Sequence, residues 1–167
     1  MPVRALFPTL VYESSLAEAR DFGAFNAELE DACRMLAAED MAGRAWCKAH
    51  GFGGYTSYAS LDDLPRRAPA FAGLVRQLDR HVAVFARHAD FELSIGGRGR
   101  RKLKLDSLWL NVMRKGAIHA PHIHPHAVVS GTYYVTVPAA SGAIRFEDPR
   151  LPLMMAAPPR RKNARLA

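Results

Sequence analysis

Four of the seven histidines of this chain lie within eight residues, at His119, His122, His124 and His126. Imidazole is a common protein ligand for iron, zinc, copper and nickel. In an extended segment alternate side chains point to the same side, so His122 and His124 are predicted to aim at one point. His126 could follow if the chain stays extended, whereas His119 is out of phase. The spacing predicts a metal site with His122 and His124 as principal ligands and His126 and His119 in reserve; the alternative is an exposed histidine run that chelates adventitiously.

The histidine cluster is flanked by segments in which apolar residues recur with a period of two, which is typical of β-strands. Residues 103–113 are apolar on both faces, which favours a central or sandwiched strand. Residues 128–137 and 143–147 form the second and third predicted strands. The sequence therefore places the cluster where one buried strand leads into another.

Helical periodicity dominates the first half of the chain, where apolar residues recur at three- and four-residue spacing. One predicted helix follows a cap at Ser14 or Ser15, and another follows Pro65 and Pro69. Residues 7–12 read as a short opening strand and residues 43–64 as a loop. Helices first and strands later favour an α+β fold, with helices packed on an antiparallel sheet or sandwich. The apolar stripes are Phe22, Phe25, Leu29, Ala32 and Leu36, then Phe71, Leu74, Val75, Leu78, Val82 and Phe85.

Length and composition limit the classes of protein to consider. A chain of 167 residues suits one domain. It has no apolar run long enough for a membrane span, and its N-terminal apolar stretch is too short for a signal peptide. Cys33 and Cys47 form neither a disulfide framework nor a CxxC metal unit, so a cytoplasmic location is expected.

The net charge of +7 is concentrated in two places. Five basic residues lie in residues 98–104, and five more lie in residues 150–167. Removal of the second group alone would leave a net charge near +2. A nucleic-acid-binding surface would have such clusters, and so would a solvated loop and a frayed end. Neither cluster has an interleaved aromatic residue for base stacking, so the second interpretation is favoured. A mobile basic tail is predicted over residues 151–167.

Several motifs together resemble a known family. They are LFPT at residues 6–9, GYTS at 54–57, WLNVM at 109–113, HIHPHAVVSGTYYV at 122–135 and EDPR at 147–150. Over most of the chain, the sequence resembles a bacterial family of 2-oxoglutarate–Fe(II) oxygenases whose substrate is generally unassigned. The histidine–serine–tyrosine run and the DPR segment are the most specific parts of this resemblance.

The resemblance implies a single domain over residues 1–150, with a helical layer at about 1–95 and a β core at about 103–148. The β core would be a double-stranded β-helix, or jelly roll. The family holds Fe(II) with a facial set of side chains and uses 2-oxoglutarate as cosubstrate to hydroxylate its substrate. Its usual first ligand pair is HxD or HxE, which corresponds here to His122 and His124. The candidates for cosubstrate binding are Asn111, Ser130 and Tyr133. Asn111 could equally form a hydrogen bond to a neighbouring backbone group, and a strand tyrosine such as Tyr133 commonly packs in the sheet.

The end of the sequence departs from the family pattern. The family has a distal metal histidine and a basic residue for the 2-oxoglutarate carboxylate on later strands, whereas no histidine follows His126 and no strand pattern follows Glu147. Asp106 and Glu147 are the nearest carboxylates, and neither has ligand spacing to the histidine pair. The sequence therefore predicts a C-terminally truncated, incomplete jelly roll that self-associates through unpaired edges. An inactive metal-binding remnant is the alternative to an active dioxygenase.

Overall fold

The computed structural model describes residues 8–93 and 102–147. The chain divides into two compact units at the junction between Val137 and Pro138. The described part of the first unit contains four helices and a small sheet, which agrees with the predicted α+β class. In chain order the elements are α1 (Phe22–Glu39), α2 (Met41–Ala49), β1 (Gly54–Thr56), α3 (Leu64–Arg67), α4 (Pro69–His88) and β2 (Asn111–Met113).

Helix α1 forms where its apolar stripe predicts it and buries Leu29, Ala32 and Leu36. Its start differs from the prediction. Asp21, in a left-handed conformation with φ of 62°, is the N-cap residue, and the helix begins at Phe22. The Ser15 hydroxyl instead accepts a hydrogen bond from the Ala17 amide, so the predicted serine cap is wrong. A serine two residues before a backbone amide can stabilise a local turn as readily as a helix end.

Helix α4 confirms the second predicted helix. Pro69 stands in its first turn, where a missing backbone N–H leaves no intrahelical bond unmade. Phe71 and Leu74 are buried from its apolar face. They join Leu29 and Leu36 of α1 in one hydrophobic core. No helix in the described parts of the chain is long and apolar enough to cross a membrane.

The segment predicted to be a loop, residues 43–64, instead contains helix α2 and strand β1. Asp40 caps α2, because its carboxylate accepts a hydrogen bond from the Gly43 amide at 2.9 Å. The same carboxylate accepts hydrogen bonds from the hydroxyls of Tyr55 and Ser60. The half-buried Asp40 carboxylate therefore links the start of α2 to strand β1 and to the turn that follows this strand.

Strands β1 and β2 form a two-stranded antiparallel sheet in which Tyr55 is opposite Val112. Gly54 permits this pairing, because a Cβ atom there would overlap the carbonyl oxygen of Val112. The pairing continues beyond the strands, with the Ser57 amide donating to the Leu110 carbonyl at 3.0 Å. The Ser57 hydroxyl then accepts from the Leu110 amide at 3.1 Å.

The β-rich half is smaller than predicted. Of residues 103–113 only Asn111–Met113 form a strand, and residues 8–12, 128–137 and 143–147 form none. The expected jelly roll is therefore not seen in the described residues. An alternating sequence defines which side chains share a face, but a strand also needs a neighbour with free backbone groups. The predicted tail at 151–167 lies outside the described residues. The single domain over 1–150 stays a prediction.

Residues 133–136 keep the predicted alternation although they have no strand neighbour. Tyr133 and Val135 are half-buried and pack against the core, whereas Tyr134 is exposed. The Val135 carbonyl accepts a hydrogen bond from the Asn26 side-chain amide of α1 at 2.9 Å. Helix α1 thus takes the place that a neighbouring strand would have in a sheet.

Candidate metal centre

The histidine segment leaves strand β2 through a tight turn. The Ala117 amide donates to the Arg114 carbonyl at 3.0 Å, and Gly116 adopts a φ of 78°, which favours glycine. Gly53, just before strand β1, lies against Ala117, because a Cβ atom at Gly53 would be 2.6 Å from that of Ala117. The turn and this close approach direct the residues after β2 along the start of β1.

His122 and His124 aim their side chains at one point. Their Nε2 atoms are 3.1 Å apart, and the ring centroids are 4.8 Å apart. His122 Nδ1 lies 2.8 Å from the Ala120 carbonyl oxygen, which can only accept a hydrogen bond. His122 Nδ1 is therefore assigned as the protonated nitrogen, and its Nε2 presents a lone pair. This is the arrangement in which metal-bound histidines are commonly held.

The spacing of the two Nε2 atoms fits a shared metal ion. Imidazole nitrogens bind such ions at about 2.0–2.1 Å, so two ligands at adjacent coordination positions are about 3 Å apart. The observed separation is 3.1 Å. His122 is exposed and His124 is half-buried, so the pair is accessible from solvent on one side. In the metal-free chain this contact is an N–H···N hydrogen bond from His124 Nε2 to His122 Nε2, and a bound ion would replace the proton between the two nitrogens.

His119 lies close to this pair, although the sequence places it out of phase. Its ring centroid is 4.6 Å from that of His122, and the edge of Phe52 packs against it at 5.7 Å. His119 is exposed, but the groups around its ring remove part of its hydration and lower its pKa, and the neighbouring rings of His122 and His124 lower it further. His119 is therefore held towards its neutral form, which is the form that binds metals.

His126 is separated from the pair by a turn. Its φ is 71°, and the Ala127 amide donates to the His124 carbonyl at 3.3 Å. The segment is therefore not extended through Pro125, which was the condition for His126 to follow His122 and His124. Among the residues that the structure describes, no group of three or more histidine, cysteine, aspartate or glutamate side chains is arranged to hold a metal ion.

Trp109 adjoins the pair and Tyr58 adjoins Trp109, and neither residue was assigned to the site from sequence. The ring of Trp109 stacks on His124 with a centroid distance of 5.5 Å and an interplanar angle of 29°. Tyr58 packs edge-on against Trp109 at 5.3 Å. Trp109 lies in the strand predicted over residues 103–113, and its side chain is half-buried. No sequence pattern indicates that Tyr58 and Trp109 lie together, because the two residues are far apart in sequence and share no motif.

The predicted cosubstrate residues are dispersed. Asn111 lies opposite Thr56 in the sheet and is exposed, and Ser130 is also exposed. The Tyr133 hydroxyl donates to the Asn26 side-chain oxygen of α1 at 3.1 Å. A cosubstrate role for these three residues stays a prediction.

The two carboxylates considered from sequence have other neighbours. Asp106 accepts a hydrogen bond from the Ser107 hydroxyl at 3.4 Å. Glu147, in the second unit, forms an exposed ion pair with Arg145 at 3.3 Å. Neither contact involves the histidine pair.

Comparison with known proteins finds a family similarity in the C-terminal part of the chain. No curated protein matches the chain. Residues 107–167 match the model of a family described as "Putative 2OG-Fe(II) oxygenase". The matched region contains Trp109 and all four clustered histidines. The C-terminal part of this chain is thus similar to a family that in general implies Fe(II) and 2-oxoglutarate.

Proposed function

We propose that this chain carries the metal centre of a 2-oxoglutarate–Fe(II) dioxygenase, with His122 and His124 as two of the protein ligands. The observation that carries the proposal is the 3.1 Å separation of their Nε2 atoms inside the family-matched region. When bound, Fe(II) and 2-oxoglutarate would activate O₂, which is the oxidant with which such enzymes hydroxylate a substrate. The chain itself would hold and orient these groups.

The roles of the two histidines differ. His122 has its Nδ1 bonded to the Ala120 carbonyl, which fixes the ring so that Nε2 is free to bind. His124 is the more buried of the two and has Trp109 against its ring. Two histidines leave the remaining coordination positions to a third protein group, the cosubstrate and water. Facial iron sites commonly use two histidines and one carboxylate.

A metal titration tests the ligand assignment. Co(II) is added to the wild-type chain and to the variants His122→Ala and His124→Ala, and its visible absorption is recorded. Each variant should weaken binding by at least about tenfold, since even residues supporting a metal ligand have effects of about 10–100-fold. His88→Ala is the matched control, because His88 is an exposed histidine on helix α4. Unchanged affinity in both cluster variants would refute the assignment.

The same titration extends to the reserve ligands and the carboxylates. His119→Ala, His126→Ala, Asp106→Asn and Glu147→Gln are compared with the wild type. A variant that weakens binding as much as His122→Ala identifies the third protein ligand. A variant that leaves binding unchanged removes its residue from consideration.

Turnover separates the enzyme from its alternative, a non-catalytic metal-binding module. Succinate release from 2-oxoglutarate is measured with Fe(II) and ascorbate, and this reaction needs no knowledge of the substrate. Release that disappears in His122→Ala supports the dioxygenase. Histidine-dependent Co(II) binding without succinate release would support the non-catalytic module instead.

A further inference from the structure

Three aromatic rings form a continuous array that ends on the histidine pair. Tyr58 packs edge-on against Trp109 at 5.3 Å, and Trp109 stacks on His124 at 5.5 Å. Tyr58 and Trp109 follow the register of the sheet, in which Thr56 is opposite Asn111. They are therefore cross-strand neighbours just beyond the paired strands, where aromatic pairs add to sheet stability.

The backbone next to Trp109 is firmly anchored. Leu110 is buried, and its amide and carbonyl are both hydrogen-bonded to Ser57, at 3.1 Å and 3.0 Å. Ser57 is fully buried. Trp109 is therefore presented from a fixed point of the first unit, with its ring held on one side by Tyr58.

The histidine segment, by contrast, has little burial of its own. Of residues 118–128 only His124 is half-buried, and the other side chains are exposed, including Ile118 and Ile123 at 83% and 82%. An exposed imidazole rotates freely about its side-chain bonds, and fixing it costs conformational entropy on binding. The stacked indole of Trp109 restricts the ring of His124 in addition to its contact with His122, while the Ala120 carbonyl restricts the ring of His122.

We propose that Trp109 is a positioning residue of the metal centre. It holds the His124 ring so that Nε2 faces Nε2 of His122 before metal binds, and Tyr58 holds Trp109 in turn. This inference rests on the proposed role of His124 as a ligand. Preorganisation of this kind raises metal affinity, because less motion is lost when the ion binds.

The chain provides a matched control in a second tryptophan–histidine stack. Trp46 and His50 stack at 4.1 Å with an interplanar angle of 16°, and His50 Nδ1 lies 2.9 Å from the Trp46 carbonyl. This pair lies at the end of helix α2, outside the histidine cluster. Trp46 and Trp109 are both half-buried, and Trp46 also packs against the hydrophobic core. An affinity loss caused only by lost packing should therefore also appear in Trp46→Leu.

The first experiment measures Co(II) affinity in the full chain. Trp109→Leu should weaken binding about tenfold, as is typical when a group that orients a metal ligand is lost. Trp109→Phe should recover most of the affinity, because a smaller aromatic ring can still stack on His124. Trp46→Leu should bind Co(II) as the wild type does. Circular dichroism melting of all variants shows whether a lost affinity is accompanied by unfolding.

The second experiment uses the metal-free chain, so its result does not depend on whether a metal ion binds. The ring protons of His124 are assigned by NMR, and the ring current of Trp109 should shift them upfield relative to those of His88. Trp109→Leu should abolish this shift, and Trp46→Leu should leave it in place. Tyr58→Leu should reduce the shift, since it removes the support on the other side of the indole.

The outcomes separate this inference from the proposed function. If His124→Ala weakens Co(II) binding but Trp109→Leu does not, the positioning role is wrong and the ligand assignment stands. If neither His122→Ala nor His124→Ala alters binding, the proposed metal centre is wrong. A folded Trp109→Leu chain with weakened binding, rescued by Trp109→Phe, supports the positioning role.

Discussion

The hydroxyl of Tyr133 donates a hydrogen bond to the side-chain oxygen of Asn26 at 3.1 Å, joining residues 107 positions apart. The amide of the same asparagine donates to the Val135 carbonyl at 2.9 Å. Thr136 continues this contact by donating to Glu30 at 2.8 Å. One face of helix α1 therefore holds the segment that follows the histidine cluster, through polar bonds as well as apolar packing.

Removal of the Tyr133 hydroxyl should destabilise the fold by about 1 kcal/mol, the usual net value of one hydrogen bond. Asn26→Ala should cost more, because it removes both bonds and leaves the Val135 carbonyl without this donor. Urea unfolding of Tyr133→Phe and Asn26→Ala measures both effects. The predicted cosubstrate role of Tyr133 gives a different result: Tyr133→Phe would raise the 2-oxoglutarate concentration needed for half-maximal succinate release without lowering stability.

Close packing of the two strands makes Gly54 intolerant of a side chain. In Gly54→Ala the new Cβ would overlap the Val112 carbonyl oxygen, and backbone atoms would have to move. We expect a loss of about 1–3 kcal/mol, as for other overpacked sites. Gly23→Ala is the control in helix α1, where a Cβ meets no atom within 4 Å. It should leave the stability unchanged or raise it slightly, because Gly23 lies in the first turn of the helix. Thermal melts that rank these variants in the opposite order would contradict the strand pairing.

Asp40 should make folding stability depend on pH in the acid range. Burial raises the pKa of its carboxyl, but hydrogen bonds from Gly43, Ser60 and Tyr55 outweigh this effect, and the net pKa is lowered. The unfolded chain therefore binds a proton more readily than the folded chain. The stabilisation is complete above the ordinary aspartate pKa of about 3.9 and is lost as the pH falls through the folded value.

Asp40→Asn tests this pH dependence, since asparagine can still cap α2 but does not titrate. Urea unfolding is measured at pH 7 and pH 3. The free energy of unfolding of Asp40→Asn should fall less between these two pH values than that of the wild type. Asp79→Asn, at an exposed position of helix α4, should behave like the wild type. An Asp40→Asn chain that loses as much stability in acid as the wild type would show that the network does not carry the effect.

Cys33 should react slowly with alkylating reagents. Burial raises the pKa of its thiol to about 11, and the nearby Glu30 carboxylate adds to the effect. At pH 8 the reactive thiolate is then about 0.1% of the total. Peptide mapping after iodoacetamide treatment should find Cys33 mostly unmodified in the folded chain and rapidly modified in urea. Equal rates under the two conditions would place Cys33 in a more open environment than the one described.

The sequence by itself determined the features that follow from local periodicity. The stripes of α1 and α4 predicted two helices and part of what they bury, because side chains three and four positions apart share a helix face. The predicted residues that are buried are Leu29, Ala32, Leu36, Phe71 and Leu74. The two-residue period of an extended chain predicted that His122 and His124 point to one side. It also predicted alternation along residues 128–137, which Tyr133 and Tyr134 follow. The class of chemistry came from residue type, since clustered imidazoles favour a metal.

Only the tertiary structure decided which distant segments meet. The pairing of residues 54–56 with residues 111–113 brings Tyr58 beside Trp109, and the path of the chain after β2 brings Trp109 beside His124. Likewise, Tyr133 meets Asn26 because residues 133–136 lie along helix α1 rather than along a strand. Periodicity defines the face that a segment presents, but not the partner that covers that face. That choice depends on the competition among all packed arrangements of the whole chain, in which contacts between remote residues decide the free energy.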